Sequence, residues 1–145
     1  MAQPTKLDQQ LCFELYKASS NFTKLYARTL EPFNLTFPQY LVLLVLWEED
    51  HVLTKDIGER LGLGIGTLNP IIGRMIAQGR LTKQQSAEDR RAYVISLTQK
   101  AQGEREPIEQ AIYDKVISCN FIGMGALELM RNLKQLNTAF AEMDL

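Results

Sequence analysis

The sequence holds a single histidine and only two cysteines among 145 residues. Cys12 and Cys119 stand far apart, with no Cys or His beside either at metal-ligand spacing, so a zinc-finger type of site is excluded and no metal is expected. Isolated thiols in a cytosolic setting stay reduced, which disfavours a structural disulfide. His51 follows the acidic run Glu48-Glu49-Asp50 and has no evident Ser or Cys partner. A hydrolytic triad is therefore not expected, and no catalytic residue or cofactor site is marked. No apolar run exceeds the seven residues 41–47, whereas a membrane-spanning helix needs about 20. The first ten residues show no leader-like stretch, so a cytoplasmic protein without a membrane partner is expected. Internal repeats and low-complexity segments are also missing.

Apolar residues make up 46% and charged residues 23%, the balance of one globular domain over residues 1–145 with length enough for a real core. The net charge is only −1, but it is unevenly spread. Residues 55–91 hold seven basic groups, among them Arg74, Arg80, Arg90 and Arg91, against four acids. That gives a positive island of +3 on a body of −4, an arrangement suited to a polyanion on one face.

Apolar residues recur at helical spacing from Leu7 to about Leu30, predicting a long amphipathic helix with one buried stripe that includes Cys12. By chemistry alone Cys12 reads there as a buried, inert thiol. Pro32 ends that helix. Thr36 and Pro38 start a second one, apolar on nearly all sides and hence central. Thr54 is placed to cap a third, short helix ended by Gly62, and a fourth runs from about Ile65 to Gln78 before Gly79. Two short helices around a Gly-containing turn have the form of a helix-turn-helix. Strands over residues 80–84 and 92–97, joined by the polar turn 86–91, then form a hairpin wing. Thr98 caps a long helix to about Cys119 that Gly103 and Pro107 should kink or break. The 123–125 segment breaks the chain before a last helix, 126–142. The fold class is thus mainly α with a small β-hairpin (α+β), a winged helix-turn-helix. Residues 36–98 form the DNA-binding part, and the helices of 7–33 and 99–143 pair into a two-fold dimer.

The order of elements resembles the MarR-type winged helix-turn-helix regulators across nearly the full length, with Asp89-Arg90-Arg91 fitting that family's Asp-x-Arg wing signature. Within the family the chain looks most like the organic-hydroperoxide-sensing (OhrR-like) repressors. The stretches that carry this are residues 7–13, 38–48 and 58–61, Gly66-Thr67-Leu68 with Pro70, and residues 86–89 and 95–98.

A recognition helix offers its N-terminal half to major-groove base edges. This marks Gly66, Thr67 and Asn69, with Arg74 a turn later for a phosphate or base. Thr54 stands at a helix start, where amides favour phosphate. In the wing, Arg90 or Arg91 can enter the minor groove, and the resemblance implies that Asp89 braces the hairpin. The expected partners are a double-stranded palindromic operator and a second copy of the chain. The resemblance also implies that Cys12 is the peroxide-reactive thiol, with Cys119 as a possible resolving cysteine. Two tyrosines of the partner subunit would assist: one matches Tyr26, the other position is Phe37, and Tyr16 could substitute. Departures are Gly64-Ile65 in place of an Asp-Ser pair, and Gly73 in place of a lysine, so the site read can differ from that of the relatives. Three other readings stay open. A small aromatic or phenolic effector could sit among Phe22, Tyr26, Phe37, Tyr40 and Trp47; the chain could be a thiol peroxidase; or it could be a winged helix that binds protein.

Overall fold

Helix α2 (Phe37–Glu48) is the centre of the molecule because it offers no polar side to solvent. Val42, Leu43, Val45 and Leu46 are all buried, against Leu30, Ile57, Leu68, Met75, Ile95 and Ile108 from the elements around it. Its start is fixed by a reciprocal cap. The Gln39 amide donates to Thr36 Oγ1 at 3.3 Å, and the Thr36 amide donates to Gln39 Oε1 at 3.1 Å, satisfying two amides that the helix cannot.

The computed structural model describes residues 5–7, 9–117 and 125–143. Among these, the other helices are α1 (Leu11–Leu30), α3 (Thr54–Leu61), α4 (Ile65–Ala77), α5 (Gln99–Gly103), α6 (Arg105–Ile112) and α7 (Ala126–Glu142). Three short strands, β1 (Val52–Leu53), β2 (Leu81–Gln85) and β3 (Tyr93–Leu97), form an antiparallel sheet in the order β1-β3-β2. The expected winged helix-turn-helix, mainly helical with a β-hairpin, is what the chain adopts. Strand β1 is additional; two residues are too few to show an alternating pattern. It pairs Val52 with Ile95 and Leu53 with Val94, tying the helix-turn-helix to the wing.

Several boundaries differ from expectation. Thr54 does not cap α3: β1 runs straight into the helix, Leu53 takes the flanking extended position, and the Thr54 hydroxyl donates to the Tyr93 carbonyl at 3.4 Å. Helix α1 begins at Leu11, after a turn closed by the Gln10 amide on the Leu7 carbonyl. The long helix expected from Thr98 is capped as foreseen, the Ala101 amide donating to Thr98 Oγ1. Of the kink or break expected near Gly103, the chain shows a break. Glu104 joins α5 to α6, Pro107 falls in the first turn of α6 where no amide is required, and a π-type turn spans Tyr113–Ile117. Cys119 and residues 123–124 lie outside the described residues.

The connection between α4 and the wing sets the fold's key contact. Gly79 adopts a left-handed φ of 77°, and the Arg80 and Gly79 amides close back on the Met75 and Ile76 carbonyls, a glycine-dependent helix end. This turn sends Arg80 inward, where only 3% of it is exposed. Arg80 Nε and one terminal nitrogen hold the two Glu104 carboxylate oxygens at 2.9 and 3.0 Å. The same guanidinium donates to the Phe33 and Asn34 carbonyls and to Gln78 Oε1. Arg80, counted in the positive island, therefore faces no outside partner; its charge is spent inside. Nearby, the Trp47 indole N–H donates to the Ala101 carbonyl at 3.2 Å, and Arg105 donates to the Trp47 carbonyl.

The terminal helices are open. Leu11 is 73% exposed, Leu15 and Cys12 are exposed, and α7 buries no residue, Leu127 being 79% exposed. The stripe expected to be buried is thus uncovered in the single chain, because only the C-terminal part of α1 packs on the body. No described helix is long and apolar enough to cross a membrane.

Removing one side of a buried, forked ion pair leaves an uncompensated charge. Glu104→Ala should lower the free energy of urea unfolding by about 3 kcal/mol. Arg80→Lys should also destabilise, because an ammonium cannot match the fork. Wild-type stability in both variants would show that the cluster is dispensable.

Candidate nucleic-acid interface

The turn between α3 and α4 depends on Gly58. A Cβ there would lie 2.8 Å from the Leu63 carbonyl oxygen, while the Leu63 amide donates to the Gly58 carbonyl at 2.9 Å. No side chain fits so close an approach of backbone to backbone. The sequence signal was a glycine inside a short helix, although its role was not read from it.

Helix α4 seats Leu68, Ile72 and Met75 in the core and turns Gly66, Thr67, Asn69, Gly73 and Arg74 outward. Pro70 lies inside this helix; lacking an N–H, it deprives the Gly66 carbonyl of its i+4 donor. The first turn thus offers an exposed backbone acceptor beside the Thr67 hydroxyl. Thr67 and Arg74, seven residues apart, share one face. Asn69 looks instead into a cleft of about 320 Å³ between α4 and the wing, together with Thr54, Lys55, Lys83, Asp89 and Arg91. Lys55 and Lys83 were part of the charge count but had not been singled out as site residues.

The wing tip is held by its own polar groups. Asp89 Oδ1 accepts the Arg91 amide at 2.9 Å, and its backbone carbonyl accepts the Ala92 amide at 3.0 Å. Gln85 Nε2 donates to the Arg90 carbonyl at 2.6 Å. The guanidinium of Arg91 stands 3.7 Å from Asp89 and stays almost wholly exposed. Arg90 is exposed and does not line the cleft. At the wing's root Asp50 Oδ1 accepts both the Leu97 and the His51 amides. His51 does have a serine partner, Ser96 Oγ, 2.7 Å from Nδ1. The strand pairing brings the two together across 45 residues, which linear spacing could not reveal.

The residues marked for redox chemistry are not gathered within one chain. Cys12 and Tyr16 lie one turn apart on the open end of α1, both exposed. Tyr26 is fourteen residues along the same helix, about 21 Å away. Within the single chain Cys12 is exposed, as are its apolar neighbours Leu11 and Leu15. Tyr26 and Phe37 stack with ring centroids 5.0 Å apart; Tyr40 is 6.0 Å from Tyr26 and meets Trp47 edge-on at 6.4 Å. Burial raises the Tyr26 pKa, and burial with the nearby Tyr26 and Glu109 pushes Tyr40 to about 12. Both phenols stay protonated, and so able to donate, at neutral pH. Among the described residues no cluster of His, Cys, Asp and Glu could hold a metal ion.

A family profile described as "Transcriptional regulator SarA/Rot" matches residues 24–108. The HTH-type transcriptional regulator MgrA of Staphylococcus aureus is 35% identical over 144 residues, 98% of this chain and 97% of MgrA. This chain belongs to the MarR/SarA family of winged-helix transcriptional regulators. The organic hydroperoxide resistance transcriptional regulator of Bacillus subtilis is 49% identical over 94 residues, and supports the OhrR-like branch. That match takes in 65% of this chain and 64% of the B. subtilis protein, and a second relative is matched over 51% of its length. Among solved structures, reduced AbfR bound to DNA superposes with a TM-score of 0.85 at 31% identity, covering 97% of this chain and 96% of that one; AbfR is a Staphylococcus epidermidis protein. In this MarR/SarA-family chain the matched stretch 24–108 takes in the aromatic cluster, the turn at Gly58, α4 and the wing. Cys12 lies outside it.

Two outcomes follow from this geometry. Gly58→Ala should cost about 1–3 kcal/mol of stability in a denaturant melt, because backbone must move to admit the methyl group. In a spectrophotometric titration, Tyr40→Phe should remove the phenolate that forms near pH 12. Since the folded pKa exceeds the ordinary 10, this group's contribution to stability is present below pH 10 and falls as pH rises from there through 12.

Proposed function

We infer that the protein is a dimeric DNA-binding repressor that leaves a palindromic operator when Cys12 is oxidised by an organic hydroperoxide. The observation behind the DNA part is the cleft where α4 and the wing bring Thr54, Asn69, Lys83 and Arg91 together. In this reading residues 36–98 bind DNA, while helices within 7–33 and 99–143 pair two chains and cover the apolar faces of α1 and α7. Thr67, Asn69 and the Gly66 carbonyl meet base edges in the major groove. Gly66 has nothing within 4 Å of where a Cβ would stand, so DNA can approach the helix start closely. Asp89 holds the loop that offers Arg90 and Arg91 to the minor groove. Such a protein works in the compartment that holds DNA, the cytoplasm, and as a regulator rather than an enzyme.

Support for the redox part comes from relatives: one is named for organic hydroperoxide resistance, and AbfR has been solved reduced on DNA, overoxidized on DNA and disulfide-formed. The Cys12 thiolate would attack the peroxide's outer oxygen, giving a sulfenic acid and releasing the alcohol. A second thiol, Cys119 of the other subunit, would then displace water to form a disulfide. Because Cys12 and Tyr26 are far apart on one helix, a protonated Tyr26 can serve the thiol only across the dimer. Phe37 supplies no hydroxyl there, which should slow sensing. The aromatic-effector reading gains nothing from the structure, for Tyr26, Phe37, Tyr40 and Trp47 pack on one another.

Genomic fragments selected on the reduced protein provide the probe. Cumene hydroperoxide should release the labelled duplex from wild type but not from Cys12→Ser, read by fluorescence anisotropy. Release from Cys12→Ser would sink the sensor assignment. On non-reducing gels Cys119→Ser should fail to cross-link; an unchanged cross-linked dimer would remove Cys119 from the scheme.

A further inference from the structure

The recognition helix is flanked by two clefts. The first is the wing cleft, with Lys55, Lys83 and Arg91 against Asp89. The second lies on the opposite side of α4, where that helix meets the end of α1 and the start of α2. Its lining holds Arg28 and Arg74 with Asn34, Thr36 and Gln78 beside them, and Glu31 is its one acid. Of the clefts away from α4, one on α7 sets Arg131 and Lys134 against Glu142, and two have the opposite sign. One is lined by Glu106 and Glu109 without a cation, the other by Glu49, Asp56 and Glu59 against Arg60. Both sides of this one helix thus carry positive lining.

The dimensions give this pairing a meaning. A helix with its side chains is about 10–12 Å across, and the major groove is about 12 Å wide. A helix seated there has a phosphate backbone on each side, so a protein with cations on one side only would meet half of the available charge. Arg74 lies on the side of α4 opposite Asn69 and lines the second cleft. Arg28 is exposed on the last turn of α1 and makes no ion pair among the described residues. Of the amides that open α2, those of Thr36 and Gln39 are taken by their reciprocal cap and Pro38 has no N–H. The cleft's attraction for phosphate therefore rests on the two guanidiniums.

We propose that Arg28 and Arg74 form a second phosphate seat that grips the DNA strand on the far wall of the major groove from the wing. Arg28 is a sequence-independent backbone contact, absent from every residue marked by the motif. It fixes the depth and tilt of α4 rather than the bases that α4 reads. This proposal rests on the DNA-binding reading above.

The test is binding of the full-length protein to a random-sequence 30-base-pair duplex by anisotropy, at salt concentrations from 50 to 300 mM. Each phosphate contact contributes about 0.9 to the slope of log K against log salt, so Arg28→Gln should reduce the slope by about 1.8 for a dimer. Arg74→Gln should do the same, and Arg28→Lys should keep the wild-type slope. Lys24→Gln, one turn earlier on α1 and outside the cleft, should leave it unchanged. A wild-type slope in Arg28→Gln, or an equal loss in Lys24→Gln, would overturn the seat while leaving the DNA-binding reading intact. Failure of the wild-type protein to bind any duplex at 50 mM salt would overturn that reading itself.

Discussion

One guanidinium holds the chain's separate parts in register. Arg80 joins the turn after α1, the end of α4, the start of the wing and the junction of α5 with α6, through bonds to Phe33, Asn34, Gln78 and Glu104. A buried fork of this kind gives less net stability than apolar packing of the same volume could, but it tolerates only one geometry. Each segment it touches has a fixed place relative to α4. The angle between the recognition helix and the wing, and that between the winged body and α6, are both set at this one residue. The glycine-dependent turn at Gly79 and the left-handed Asn34 are the local backbone features that allow it.

Most of the fold was legible because its signals are local. The cap at Thr36, the all-apolar α2, the helix-turn-helix spacing and the alternation in β3 each report on a few consecutive residues. What could not be read depends on contacts across the chain. Arg80 looked like one more surface cation, since nothing in its neighbourhood announces Glu104. Strand β1 is too short to have a period, and with it the position of Thr54 at the start of α3 was misjudged. His51 meets Ser96 only after the strands pair. The apolar face of α1, Cys12 included, is open in the single chain, because periodicity reveals a face but not what covers it.

The marked site residues divide in the same way. Thr54, Asn69, Asp89 and Arg91 meet around one cleft, whereas Arg74 belongs to the other side of α4. Of the seven basic groups in the positive island, Arg80 is internal, Arg60 pairs with Glu48 and Lys83 lies over the Tyr93 ring. Net charge along the chain therefore located the right region while overstating how much of it is free to meet an anion.

The structure also places the chain's single tryptophan at an informative spot. Trp47 ends the central helix, its indole N–H is tied to Ala101, and Tyr40 lies within 6.4 Å. The chain's only indole thus bridges the seam between α2 and α5. Its emission is an intrinsic optical gauge of that seam, needing no attached dye and uncontaminated by any second tryptophan.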